Sequence, residues 1–273
     1  MKLVKMHGIG NDYVYADCIN EVLEDPAGLS VRIADRHFGV GSDGLILICP
    51  SDKADYEMRV YNADGSYAQM CGNGIRCVGK YLYDNGYLRK DTVDIESGGS
   101  VKHLQLLIEN GVCIGARVDM GRPAIPGIAG KSDPHAILQA GGREHVLTLV
   151  SMGNPHAVEF VEDTEAVEIE TIGPRIEHDP IFPDRTNVEF VQCLDAHTIR
   201  MRVWERGSAE TYACGTGAVA SAVASILNGY CEAGDITVHL KGGDLRITWD
   251  GKDGHAYMAG PASYVFEIKD LQL

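Results

Sequence analysis

The sequence predicts an α/β (α+β) protein made of two pseudo-twofold-related, β-rich domains, each a barrel-like sheet around a central helix, with the active site in the cleft between them. Three observations carry this reading. The chain repeats itself at an offset of 143 positions: Met58-Arg59-Val60-Tyr61-Asn62 returns as Met201-Arg202-Val203-Trp204-Glu205, and Cys71-Gly72-Asn73-Gly74 as Cys214-Gly215-Thr216-Gly217. Short β-branched and aromatic segments bounded by Gly, Asn, Asp or Pro recur along both halves, the pattern of many short strands. The segment Ala218–Leu227 is small and apolar all round, and a helix without a polar face belongs inside a core.

Taken in order, strands are expected at Leu45–Cys49, Tyr56–Tyr61, Thr92–Glu96, Val188–Cys193, Thr198–Trp204, Ile236–Leu240, Leu245–Trp249 and Tyr264–Ile268. Helical signals are fewer. The clearest run from Gly74 to Asn85 and from Gly217 to Asn228, each closed by Asn-Gly, which suits a left-handed C-cap. The echo also sets Gly10-Asn11 against Gly153-Asn154 and Asn85-Gly86 against Asn228-Gly229, with no gap between residues 10 and 86. The Pro/Gly-rich stretch Gly121–Gly127 reads as the crossing between halves. Residues 1–117, with a returning C-terminal strand in 263–273, then form one domain, and residues 118–262 the other.

A chain of 273 residues is long enough for two modest cores. Its net charge of −15 argues against nucleic acid as a partner, because a polyanion requires a basic footprint. No apolar run reaches the roughly 18 residues of a membrane span. The opening residues Met1–Gly8 lack the apolar stretch of a secretory signal. Eight cysteines would allow four disulfides. The missing export signal, the chain length and the apolar setting of most cysteines favour instead a reduced, cytoplasmic protein.

Cys71 and Cys214 each precede Gly-x-Gly and then a helix. A thiol at a helix N-terminus meets the positive end of the macrodipole and unsatisfied N–H groups, which favour the thiolate and lower its pKa from about 8.5. The glycines leave those N–H groups open, making a cup for a carboxylate. Two such cups, one per half, can hold one carboxylate with a thiol on either side of its α-carbon. That arrangement suits inversion of a C–H centre: one base removes the proton from one face and a conjugate acid returns one to the other. An isolated free cysteine is most often a small core residue. Two in register, each at a glycine-rich helix start, point instead to a paired thiol site.

These motifs also resemble a known family. Met70-Cys71-Gly72-Asn73-Gly74-x-Arg76-Cys77 and Ala213-Cys214-Gly215-Thr216-Gly217 are similar to the two active-site signatures of diaminopimelate epimerases. So are Lys5-Met6-His7-Gly8-x-Gly10-Asn11-Asp12, Asn62-Ala63-Asp64-Gly65-Ser66, Gly153-Asn154-Pro155-His156, Thr186-Asn187-Val188-Glu189 and Trp204-Glu205-Arg206-Gly207. The resemblance runs nearly end to end. It implies interconversion of LL- and meso-2,6-diaminopimelate without pyridoxal phosphate or any other cofactor or metal, in lysine and peptidoglycan precursor synthesis, by a homodimer. It further implies that Cys71 and Cys214 are the acid/base pair and that Gly72, Asn73, Gly215 and Thr216 hold the reacting carboxylate. Asn11, Asn62, Asn154, Asn187 and Arg206 would bind the polar ends of the substrate, a carboxamide offering both donor and acceptor and Arg206 a bidentate clamp. His156 and Glu205 would tune the thiols, Glu205 also touching substrate. One departure stands out: Gly44 occupies a position where some members carry a substrate-contacting Gln.

Other signals carry less. Gly39-x-Gly41-x-x-Gly44 spells a dinucleotide fingerprint, but the strand-like Leu45-Ile46-Leu47-Ile48 follows where a helix is required. Cys71 and Cys77 lack the paired spacings of zinc sites, and Cys77 reads as core. Two competing functions remain open: a related racemase of proline or hydroxyproline, in which a His is expected in place of Asn73, and a redox sensor in which Cys71 and Cys214 form a reversible disulfide.

Overall fold

The computed structural model describes residues 1–126, 134–252 and 254–269. Gly127, the end of the stretch read as the crossing, and residues 270–273 of the expected terminal segment lie outside the described residues. The chain divides into two compact units, Met1–Val118 with Ala259–Leu273, and Asp119–Met258.

In the first unit, β1 (Leu3–Gly8) and β2 (Asn11–Asp17) form an antiparallel hairpin. A helix, α1 (Pro26–Ala34), then leads to β3 (Gly44–Cys49), which lies parallel to β2. The sheet continues antiparallel through β4 (Tyr56–Asn62) and the short β5 (Tyr67–Ala68). The second helix, α2 (Gly72–Asp84), carries the chain over to β6 (Thr92–Ser97), parallel to β4. Two long strands, β7 (Ser100–Glu109) and β8 (Val112–Gly121), close the run, and the chain leaves the unit within β8.

The second unit repeats the order. Its strands β9 (His135–Ala140), β10 (Arg143–Ser151) and β11 (Pro155–Phe160) are antiparallel neighbours. After α3 (Ile169–Glu177), β12 (Asn187–Asp195) lies parallel to β11, followed by β13 (Thr198–Glu205) and the short β14 (Ala209–Glu210). Then α4 (Gly215–Leu227) leads to β15 (Gly234–Leu240), parallel to β13, and on to β16 (Gly243–Trp249) and β17 (Ala256–Pro261). Finally β18 (Ser263–Ile268) returns to pair antiparallel with β1.

The mixed, strand-rich α/β class and the repeat are therefore present in the structure. In the second unit α4 packs against β10, β11, β12, β13, β15 and β16, so strands surround it, as its apolar composition requires. Its residues Gly217–Ser225 are all buried. In the first, Asn73–Leu82 of α2 are buried.

Two helices go beyond the sequence expectation, and both obey the 143-residue offset: α1 spans residues 26–34 and α3 residues 169–177. Asp25 caps α1, its Oδ1 accepting from Gly28 N at 2.9 Å, with Pro26 at the first helical position. α3 holds an internal proline, Pro174, and lacks a side-chain N-cap hydrogen bond. It is held by its apolar face: Ile169, Ile172 and Ile176 enter a core with Leu147, Leu149, Val188 and Phe190. Tertiary burial overrides weak local signals here. The helices α2 and α4 also begin two residues earlier than expected, because Cys71 and Cys214 are themselves the N-caps. Asn85 and Asn228 cap their C-termini, and Gly86 (φ +77°) and Gly229 (φ +72°) turn the chain away in the left-handed region. Among the described residues no helix is long and apolar enough to cross a membrane.

Candidate active site

Both halves put a thiol at the head of an internal helix in the same way. Cys71 (φ −135°, ψ 106°) and Cys214 (φ −117°, ψ 109°) are extended, and each sulfur accepts from the N–H three residues on, Gly74 at 3.3 Å and Gly217 at 3.4 Å. Sulfur thus takes the place an oxygen usually fills at an N-cap. The glycines suit this closeness. A Cβ on Gly74 or Gly217 would lie 3.2 Å from the capping sulfur in each case. Gly72 and Asn73, and Gly215 and Thr216, are the first two residues of their helices, where N–H groups stand outside the intrahelical ladder.

Around Cys71, the thiol donates to Asn11 Oδ1 at 3.2 Å, and Asn11 Nδ2 donates to Asp43 Oδ2 at 2.7 Å. Arg36 Nη2 bridges Asp12 and Asp43, each at 3.0 Å, and Lys5 Nζ lies 2.5 Å from Asp12. Burial, then Asp12, pushes the Asp43 carboxyl upward. Burial, then Cys71 and Asp43, holds the Tyr13 hydroxyl well above the usual phenol range. Beneath the helix start, buried Arg76 donates from Nη1 to Gly72 O at 3.2 Å and Asn73 Oδ1 at 3.0 Å. Asn62 Nδ2 donates to Ser66 Oγ at 3.0 Å in the turn after β4.

Cys214 has a different neighbourhood, and it overturns one expectation. The N–H at the helix start pulls this thiol's pKa down, but the net shift is upward. Burial raises it well above the ordinary value, and the carboxylates of Glu205 and Glu189 raise it further, outweighing the hydroxyl of Thr216 and the Gly217 N–H. Loss of hydration and two nearby negative charges both disfavour a thiolate. Glu205 is itself shifted upward, chiefly by burial, and accepts from Thr211 Oγ1 at 2.5 Å. From His156 a chain of contacts reaches the sulfur. His156 Nε2 lies 3.1 Å from Asn154 Oδ1, Asn154 Nδ2 donates to Thr216 Oγ1 at 3.3 Å, and Thr216 Oγ1 lies 3.6 Å from Cys214 Sγ. The other ring nitrogen, Nδ1, lies 2.7 Å from Glu189 Oε1.

Asn187 has both ends of its carboxamide on backbone: Nδ2 donates to Pro155 O at 2.8 Å and Oδ1 accepts from Arg206 N at 2.9 Å. It shapes the wall that carries Arg206, whose exposed guanidinium donates to Asp184 O at 2.9 Å. At Gly44 the backbone adopts φ +149°, and a Cβ would lie 2.0 Å from Tyr61 O. Strand packing therefore holds glycine at this position. Cys77 is fully buried in α2, as its core reading requires, and none of the eight cysteines is in a disulfide.

Sequence reading assigned no role to Asp43, Thr211 or Glu189. For Glu189 a signal existed: it sits among Val188, Phe190 and Val191 in a buried strand, where a carboxylate is rarely fully enclosed without a partner.

The fold places the chain in a recognisable structural class. It superposes with TM-score 0.71 on a PhzF-family phenazine biosynthesis protein from Bacillus anthracis, at 16% identity over 100% of this chain and 99% of that one. It superposes with TM-score 0.72 on a probable proline racemase from Agrobacterium radiobacter, at 16% identity over 98% of this chain and 92% of that one. At that identity the likeness establishes the two-unit α/β fold. The sequence goes further. A model of the diaminopimelate epimerase family matches residues 3–126 and 148–265. Diaminopimelate epimerase from Acetivibrio thermocellus is 49% identical over 98% of this chain and 97% of its own length. That from Agathobacter rectalis is 51% identical over 97% and 98%. The chain belongs to the diaminopimelate epimerase family, a family of isomerases.

Proposed function

We propose that this chain interconverts LL- and meso-2,6-diaminopimelate by a two-base reaction in which Cys71 and Cys214 act on opposite faces of one α-carbon. The observation that carries the reading is the duplicated thiol N-cap, the same side chain in the same cap geometry at the head of both internal helices, in a chain about half identical to curated diaminopimelate epimerases. One thiolate takes the α-proton while the opposite thiol returns one, and the roles exchange in the reverse direction. The cups at Gly72-Asn73 and Gly215-Thr216 hold the α-carboxylate, whose charge the helix N-termini favour. Asn11, Asn62, Asn154, Asn187 and Arg206 order the polar ends of the substrate, and His156 and Glu205 tune the thiols. In this reading the reaction runs without pyridoxal phosphate: the thiol pair makes both proton transfers, and the N–H groups of the two helix starts stabilise the negative charge that develops next to the α-carboxylate. The product serves lysine and cell-wall precursor synthesis, and the working form is a cytoplasmic homodimer.

The test is incubation with LL-diaminopimelate in deuterated water. Meso product carrying deuterium at the inverted centre is expected. Cys71→Ser and Cys214→Ser should each lower turnover by about 10²–10⁴-fold, the range of one acid–base contribution, in excess reductant. Turnover retained by either variant would overturn the two-thiol reading and favour the redox-sensor alternative. Turnover of proline in place of diaminopimelate would overturn the substrate.

A further inference from the structure

The two halves of the echo are not chemically equivalent beneath their thiols. Tyr13 in the first half corresponds to His156 in the second, and Ile46 to Glu189, both at the 143-residue offset. The atoms confirm that the last pair occupies matching places. A Cβ on Gly74 would lie 2.5 Å from Ile46 Cδ1, and one on Gly217 would lie 2.7 Å from Glu189 Oε1. Under the first helix start there is a methyl group, and under the second a carboxylate.

His156 and Glu189 have fully buried side chains. Glu189 Oε2 is buried with no hydrogen-bond partner. Enclosing a charged pair with one oxygen unsatisfied is costly, and an apolar pair of similar volume is often as stable. The first half uses such an apolar residue at the matching place. A fold that keeps the costly version in one half only has a chemical use for it there.

That use follows from which atoms face each other. Nδ1 of His156 faces Glu189 Oε1 and Nε2 faces Asn154 Oδ1. Both partners face the ring through oxygen, so this arrangement is fully satisfied when both ring nitrogens donate. With Asn154 Oδ1 accepting from Nε2–H, its Nδ2 is turned to donate to Thr216 Oγ1. The Thr216 oxygen is then occupied as an acceptor, and its own hydrogen is directed at Cys214 Sγ, 3.6 Å away. Without the carboxylate, a neutral ring can present a lone pair at Nε2. The Asn154 carboxamide then turns over, Thr216 donates to Asn154 Oδ1, and the sulfur loses its hydroxyl donor and keeps the Gly217 N–H. Glu205, held by Thr211, and the Gly217 N–H also bear on Cys214, but they act on the sulfur directly and not by way of Asn154.

We propose that Glu189 is a positioning residue for the second thiol: it holds His156 as a double donor, so that Asn154 and Thr216 present a hydroxyl hydrogen to the sulfur of Cys214. The donor matters at the moment Cys214 has given up its proton and carries negative charge. This inference rests on the reading of Cys214 as one of the two acid/base groups.

The experiment combines turnover in both directions with ring protonation. In ¹⁵N-histidine spectra of the wild-type protein at neutral pH, the His156 ring, assigned by its loss in His156→Asn, should carry hydrogen on both nitrogens. A singly protonated wild-type ring would overturn the proposal and needs no variant to fold. Glu189→Gln should leave one ring hydrogen and lower kcat about 100-fold, the lower end of an acid–base contribution, with KM within about twofold. Glu189→Asp should recover part of the loss. Thr216→Val should lose a similar factor and Thr216→Ser should not. The double variant Glu189→Gln/Thr216→Val should be little worse than either single one, as groups acting in one chain are non-additive. Fully additive losses, or Glu189→Gln turnover within about threefold of wild type, would overturn the role of Glu189. Cys214→Ser separates the two levels. If it retains turnover, the acid/base reading itself fails; if it is inactive while Glu189→Gln and Thr216→Val are both active, only the positioning role of Glu189 fails.

Discussion

Glu189 Oε1 lies 2.7 Å from the point where a Cβ on Gly217 would stand, so the third residue of α4 has room for hydrogen and nothing more. Helix propensity alone favours alanine over glycine by about 1 kcal/mol. Sterics win here, because the displaced atom belongs to a buried carboxylate tied to His156 at 2.7 Å. Gly217→Ala should destabilise by about 1–3 kcal/mol, read as a lowered urea midpoint, and cost more than tenfold in turnover. Gly74→Ala meets Ile46 Cδ1, a terminal methyl that can rotate aside, and should be the milder of the two. Equal losses at both positions would count against a special role for the carboxylate.

A second expectation concerns Glu205. Its carboxyl is raised above the ordinary value, first by burial. A raised folded-state pKa contributes stability that is fully present below the unfolded value of about 4.3 and is lost as pH rises through the folded one. Above the unfolded value the ionisable group is therefore a net liability to the fold. Glu205→Gln keeps an oxygen for Thr211 and removes the ionisable group. It should raise stability at pH 7 by roughly 0.5–2 kcal/mol, and the difference should shrink below pH 4. The same change removes one of two charges that raise the Cys214 thiol, so iodoacetamide alkylation at Cys214 should shift to lower pH. Thermal melts across pH and peptide mass mapping check both halves of the statement.

How far the sequence disclosed this chemistry depended on whether a feature was local. The thiol-capped helices could be read because the Cys-Gly-x-Gly start and the Asn-Gly stop are both written within a few residues of each end. Helices α1 and α3 are masked by poor helix residues inside them, Gly28 and Pro174; α1 does carry a local start signal in Asp25-Pro26, and burial of one face supplies what propensity lacks. The repeat nevertheless contained them, at the same offset as everything else. The pairing of His156 with Glu189 was hidden for another reason. The two lie 33 positions apart, and only the parallel register of β11 with β12, which sets His156 against Asn187, brings them together. Register is a long-range property, and no spacing rule within one strand reports it.

Gly44 gives a third prediction. Its register partner is Asn62, and the close approach to Tyr61 O leaves no space for a Cβ. Gly44→Gln, which places the side chain found in some relatives, should destabilise by about 1–3 kcal/mol and leave KM for diaminopimelate unimproved. Equilibrium unfolding and steady-state kinetics on one preparation decide it. A tighter KM with unchanged stability would mean that β3 and β4 shift readily to admit the longer side chain.

Arg76 supports the start of α2 from beneath, and the fourth prediction follows from the shape of its head group. Its guanidinium is fully buried and reaches three acceptors at once: Gly72 O and Asn73 Oδ1 from Nη1, and Pro261 O from Nε at 3.2 Å. Loss of hydration lowers its pKa, yet an arginine keeps its charge at any working pH, whereas a buried lysine readily gives its proton up. Lysine also offers a point donor in place of a planar fork. Arg76→Lys should therefore cost about 1.5–3 kcal/mol, the worth of a hydrogen bond to a charged group, visible as a lowered urea midpoint. If Gly72 and Asn73 hold the substrate carboxylate as proposed, the freed Asn73 side chain loosens that cup, and KM should rise by a larger factor than kcat falls. A fall in kcat alone, with KM unchanged, would instead assign Arg76 to the placement of the Cys71 sulfur.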